Sequence, residues 1–128
     1  MATRSTIALE FADGSVGQVY CHWDGYVSNN GRILEGHWKD PFKLRDLIDR
    51  GGMSSLKETL EGCEFYKSEG DKARYFSFYE DYIENAPTEE YNYILRCIDG
   101  EPTWFVSEYD MAFEKLTDRI ESEKRETV

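Results

Sequence analysis

Two Asp-Gly pairs constrain this chain more than anything else in it. Asp13-Gly14 separates two alternating runs, Thr6–Phe11 and Val16–Trp23. Asp99-Gly100 separates Tyr91–Ile98 from Thr103–Val106. Asp-Gly favours the positive φ angles of a tight hairpin turn, and alternation every second residue marks strands buried on one face. Two β-hairpins are therefore expected, one near each end.

The intervening sequence reads as helix, then as little at all. Ser28 is placed to cap a helix over residues 29–38, with Ile33, Leu34 and Trp38 on one stripe. Asp40-Pro41 reads as the cap and first turn of a second helix. Its stripe is Phe42, Leu44, Leu47 and Ile48, and Gly51-Gly52 stops it. Residues 53–75 are rich in charge and glycine, with strand signals near 63–66 and 75–78 and a loop through Ser68-Glu69-Gly70-Asp71. Residues 77–86 form a short acidic helix ended by Pro87, and Asp110 reads as the cap of an amphipathic helix over 111–124 carrying Phe113, Leu116 and Ile120. The expectation is one domain over residues 1–128, with 117–128 as a fraying end of the last helix. Its class is α+β: an antiparallel sheet built from two hairpins, with helices packed on one face.

Composition narrows the function classes. Aromatics make up 15% of the 128 residues, with nine Tyr, seven Phe and three Trp, which argues for a packed domain. Net charge is −11, and it is uneven. Residues 1–50 hold seven acids and six bases; residues 51–128 hold nineteen and nine. Direct nucleic-acid binding is not expected, because phosphate contacts need clustered Lys and Arg. An acidic surface serves solubility, or faces a basic protein partner. Three scattered cysteines without C-x-x-C fit a reducing compartment and small core residues. No stretch resembles a signal peptide or an apolar span, so a soluble protein without membrane contact is expected.

The densest chemistry lies in Tyr20-Cys21-His22-Trp23-Asp24-Gly25-Tyr26. Strand alternation sends Cys21 and Trp23 inward and Tyr20 and His22 to the opposite side, with Asp24-Gly25 as a break. A metal site from Cys21, His22, Asp24 and His37 lacks ligand spacing. A Cys21–His37 nucleophile lacks an exposed electropositive setting. No phosphate loop or nucleophile elbow occurs. No catalytic residue, cofactor or metal is expected. A binding protein is expected instead. Arg4, Tyr20, His22, Trp23 and Tyr26 are the candidates in the first half, and Tyr82, Tyr91 and Tyr93 those of the acidic half. Trp23, Trp38 and Trp104 with Arg4, Arg32 and Arg45 would equally suit a stacked nucleotide, unless the indoles are core.

Thr3-Arg4-Ser5-Thr6-Ile7-Ala8-Leu9, Asp13-Gly14, the Tyr20–Tyr26 segment, Asn30-Gly31 and Glu90-Tyr91-Asn92-Tyr93-Ile94-Leu95 together resemble a widespread group of small bacteriophage proteins. The resemblance covers residues 3–50 and 78–109. No reaction is assigned to that group, so no residue role carries over. The chain is shorter than the group through residues 57–76. The resemblance implies a phage accessory protein acting in the host bacterial cytoplasm; the expectation built on that context is a non-catalytic binding protein, a homodimer or higher oligomer, that acts against host antiviral defence. Its partner would be a host defence protein, inhibited through an acidic, Tyr-rich surface that in one form mimics DNA. The alternative is a sponge that sequesters a host signalling nucleotide in an aromatic, Arg-lined pocket.

Overall fold

Both hairpins form, and they meet side by side in the middle of one sheet. The computed structural model describes residues 2–67, 71–109 and 111–126. Strands β1 (Ser5–Glu10) and β2 (Val16–Cys21) pair antiparallel around Asp13-Gly14. Strands β6 (Tyr91–Ile98) and β7 (Glu101–Glu108) pair antiparallel around Asp99 and Gly100, both at positive φ (52° and 81°), as a primed two-residue turn requires. Between the hairpins lie a π-helical turn (Val27–Gly31), α1 (Arg32–His37), α2 (Pro41–Arg50), β3 (Met53–Ser55), β4 (Glu64–Phe65), β5 (Arg74–Phe76) and α3 (Tyr79–Asn85). The short β8 (Glu114–Lys115) and α4 (Leu116–Glu126) follow β7.

The sheet is mixed, which corrects the antiparallel expectation. Its order is β4-β3-β2-β1-β6-β7-β8, with β5 also alongside β2. The two hairpins join through a parallel β1–β6 pair, and β3 lies parallel to β2 at Cys21. Hairpins are local and visible in sequence. A parallel pair needs a long crossover, and the chain between residues 22 and 90 supplies it.

The main core lies on one face. Ile7, Leu9, Val19, Cys21, Tyr93, Leu95, Trp104 and Val106 project there from four adjacent strands, against Leu34, Trp38, Leu44, Leu47, Ile48 and Leu116. The two buried indoles are tied together: Trp104 Nε1 donates to the Trp38 carbonyl (3.2 Å), and Trp38 Nε1 donates to the Lys57 carbonyl (2.9 Å). Asp40 caps α2 as expected, accepting from Phe42 N at 2.9 Å. Phe42 itself leaves the stripe and is 79% exposed.

Helices cover both faces, not one. Tyr82 of α3 sits on the opposite face over Ala8, Val16 and Ile94, flanked by Phe76, Tyr79 and Phe113. Phe113 therefore does not share a helix stripe with Leu116 and Ile120. The chain is extended at 114–115 and helical from Leu116, so the two regions pack on opposite sides. Ser28 caps nothing, because the wide turn at 27–31 precedes α1 without a side-chain cap. The expected cap at Asp110 and most of the expected 68–71 loop lie outside the described residues.

Candidate functional site

The segment after β2 is a corner whose backbone is held by buried partners. His22 N and Trp23 N donate to the carbonyls of Met53 and Ser54 (3.1 and 2.9 Å), tying the segment to β3 beyond the end of β2. Asp24 then takes a left-handed conformation, φ 59°. Gly25 N donates to the Thr3 carbonyl at 2.8 Å. A Cβ at Gly25 would lie 2.7 Å from Ser5 Cβ and 2.9 Å from the Thr3 oxygen, so no larger residue fits.

Two residues from outside the segment complete the lock. Tyr93 Oη, reaching across from β6, donates to the Gly25 carbonyl at 2.6 Å. Asn30 is fully buried; its Nδ2 points at Ser5 Oγ, Cys21 Sγ and the Trp23 carbonyl (3.4, 3.5 and 3.4 Å). Asn30 N and Asn29 Nδ2 both donate to the Asp24 carbonyl. A strained residue persists where its surroundings over-determine it, and π-turns often accompany functional sites.

This lock holds an outward aromatic group in place. Trp23 is 45% exposed and Tyr26 39% exposed. The inward placement expected for Trp23 is corrected. Regular strand geometry ends at Cys21, so the two-residue period no longer applies, and Asn30 fills the space beneath. His22 packs edge-on against Trp23, with ring centres 4.7 Å apart at 88°. Tyr20 Oη and His22 Nδ1 share a 2.7 Å hydrogen bond on the opposite side from Cys21, as alternation predicts. Arg4 is exposed and stands against Tyr20. Burial raises the Tyr20 phenol above its usual pKa, partly offset by Arg4. Tyr26 Oη donates to Asp24 Oδ1 at 3.3 Å, and the Asp24 charge raises its pKa.

The other sequence candidates do not join this group. Tyr82 and Tyr93 are buried, so neither can contribute to an exposed tyrosine surface. Their phenols are driven up by burial. Tyr91 is half-buried against the main core. Its phenol is raised first by burial and then by Glu108. Nearby, Arg119 gathers Glu108, Glu114 and Glu123, so part of the C-terminal acidity is paired internally. Trp38 and Trp104 are interior, which removes two of the three indoles from any stacking pocket. Cys21 is buried and its thiol is pushed up to about 11, mainly by desolvation, the reverse of an activated nucleophile. Among the described residues, no group of three His, Cys, Asp or Glu is placed to hold a metal, and no helix is long and apolar enough to cross a membrane.

Asn30 and Tyr93 are the residues whose roles sequence reasoning missed. Asn30-Gly31 reads as a helix-weakening pair, and nothing local marks Asn30 as a buried clamp. No protein-family model, curated protein or solved structure matches the chain.

Proposed function

We propose that this chain is a bacteriophage accessory protein that counters host antiviral defence by non-catalytic binding of a host protein through the corner at Tyr20–Tyr26. The observation that carries the reading is the combination of a locked backbone with exposed Trp23 and Tyr26. Trp and Tyr dominate interface hot spots, and pre-organisation removes the ordering cost of binding. The resemblance to small phage proteins supports the phage context. The acidic half supports a basic partner surface: Glu80, Glu84, Glu101, Asp118 and Glu121 are all exposed. A protein partner is favoured over a sequestered nucleotide because Trp23 is the one indole left exposed.

The test is capture from phage-infected bacteria by the tagged protein and by a folded Trp23→Ala/Tyr26→Ala double variant. The wild type should retain a host protein that the variant loses, with at least about 2 kcal/mol of affinity removed. If the carboxylates act as a DNA mimic, 1 M salt should also release the partner, since screening then falls to about 3 Å. Equal capture by both proteins would sink the proposal.

A further inference from the structure

On the face opposite the main core, an open groove of about 610 Å³ runs between α3 and the segment that follows β7. Gln18, Asn92 and Ser107 of the sheet form its floor. One wall is a helical stripe: Tyr79, Tyr82, Ile83 and Ala86 recur at i, i+3, i+4 and i+7 along α3 and its cap. The other wall is Tyr109, Met111 and Phe113. Three of these large side chains stand in water: Ile83 is 47% exposed, Tyr109 58% and Met111 70%. Grouped apolar exposure marks an interaction surface, whereas scattered single residues do not. No Lys, Arg, His, Asp or Glu lines the groove among the described residues.

Charge begins at the lip. At about 100° per residue, Glu80 and Glu84 stand one above the other on the flank of α3 beyond Ile83. Both are exposed, and neither has an ion-pair partner among the described residues. Like charges at i,i+4 cost a helix stability, so this row is unfavourable until a cation meets it. The surrounding chain supplies none: residues 75–95 hold the five acids Glu80, Asp81, Glu84, Glu89 and Glu90, and no Lys or Arg. Arg96, whose guanidinium covers the Tyr79 ring at 3.6 Å, is already paired with Glu10. Beyond the Pro87 end, Arg4, Lys72 and Arg74 are interspersed with Asp71, Glu89 and Glu90.

We infer that this groove takes an amphipathic helix with a basic rim, supplied by a protein partner. Its apolar residues at i, i+3 or i+4, and i+7 enter between Ile83 and Met111, and its Lys or Arg side chains meet Glu80 and Glu84. The flexible Met111 thioether adapts to whatever enters. A second copy of this chain is the poorer occupant, because symmetric pairing brings two acid-rimmed surfaces together on molecules of net charge −11. The groove shares no residue with the corner, so it is a separate contact whether or not the corner binds.

The probe is a fluorescein-labelled peptide of Leu and Lys, about 18 residues long and patterned as an amphipathic helix, titrated against the full chain by anisotropy. A scrambled peptide of the same composition and a peptide with Glu in place of Lys are the controls. The patterned peptide should bind, the scrambled one at least about tenfold more weakly, and the Glu form not at all. Ile83→Ser/Met111→Ser should weaken binding at least about tenfold, since it removes two exposed anchors. Glu80→Gln/Glu84→Gln should weaken it about three- to tenfold and lessen its salt dependence, while holding or raising the melting midpoint. The Trp23→Ala/Tyr26→Ala variant should bind the peptide as the wild type does, which separates this groove from the corner. The proposal is overturned if the patterned peptide fails to bind, if the scrambled peptide binds as tightly, or if the groove variants leave binding unchanged. A wild-type dimer that Ile83→Ser/Met111→Ser dissociates in analytical ultracentrifugation would also overturn it, by making a second copy the occupant.

Discussion

The two faces of the sheet are built on opposite principles. One face carries three helices, two interlocked indoles and nearly all the large buried aliphatics. The other carries the short helix α3 over a smaller cluster of Ala8, Val16, Tyr82 and Ile94, and buries Thr6, Gln18, Asn92 and Ser107 beside it. Packed hydrocarbon supplies stability in proportion to buried area, whereas buried amides and hydroxyls supply little net stability and fix geometry. The filled face accordingly holds most of the fold, and the other face fixes strand geometry through buried polar groups. The corner belongs to neither, yet it borrows from the filled face, since Tyr93 reaches it from the core side of β6.

Matched truncations on the two faces should break this contrast if it is wrong. Leu47→Ala, in the main core, should cost about 2–5 kcal/mol in chemical denaturation. The next effect concerns the corner. Tyr93→Phe leaves the Gly25 carbonyl without its buried donor and should cost about 1–3 kcal/mol. It should also speed hydrogen exchange at Gly25 and Asn30 more than at Ile7, and a uniform change would show that the tyrosine matters only as core volume.

Alkaline pH should weaken the filled face through Cys21. Its folded pKa of about 11 lies above the ordinary thiol value of 9.0, so the unfolded chain releases its proton first. The stabilisation from the neutral buried thiol is complete below pH 9 and is lost as pH rises towards 11. About 1 kcal/mol should be gone by pH 10, and Cys21→Ala should flatten that part of the curve. Tyr82 and Tyr93, both raised by burial, add a loss of the same sign at higher pH. The smallest effect should come from Ile83→Ala on exposed α3, below about 1 kcal/mol. A cost equal to that of Leu47→Ala would mean that the α3 face is a second true core.

Where the sequence was legible, short-range chemistry was the reason. The Asp-Gly turns, the Asp40-Pro41 cap and the Leu44, Leu47 and Ile48 stripe depend on residues within a few positions of one another. Cys21 pointed inward because alternation holds inside β2. Trp23 defied alternation because the strand had already ended. Phe113 defied the helical period because its segment is extended and packs across the sheet. Gln18, Asn92 and Ser107 occupy alternate positions that look solvent-facing in a strand. They became a floor because α3 arrives from elsewhere in the chain to cover them.

The amino-acid sequence by itself determined two hairpins, a capped helix α2, an amphipathic C-terminal helix, an acidic second half and a dense segment at residues 20–26. These follow from local backbone preferences and from charge, which need no knowledge of distant partners. Only the tertiary structure decided that the hairpins join in parallel. It also put helices on both faces, and turned Trp23 outward while Tyr82 and Tyr93 went inward. Each of those outcomes depends on contacts between residues tens of positions apart, where packing and buried hydrogen bonds outweigh any local preference.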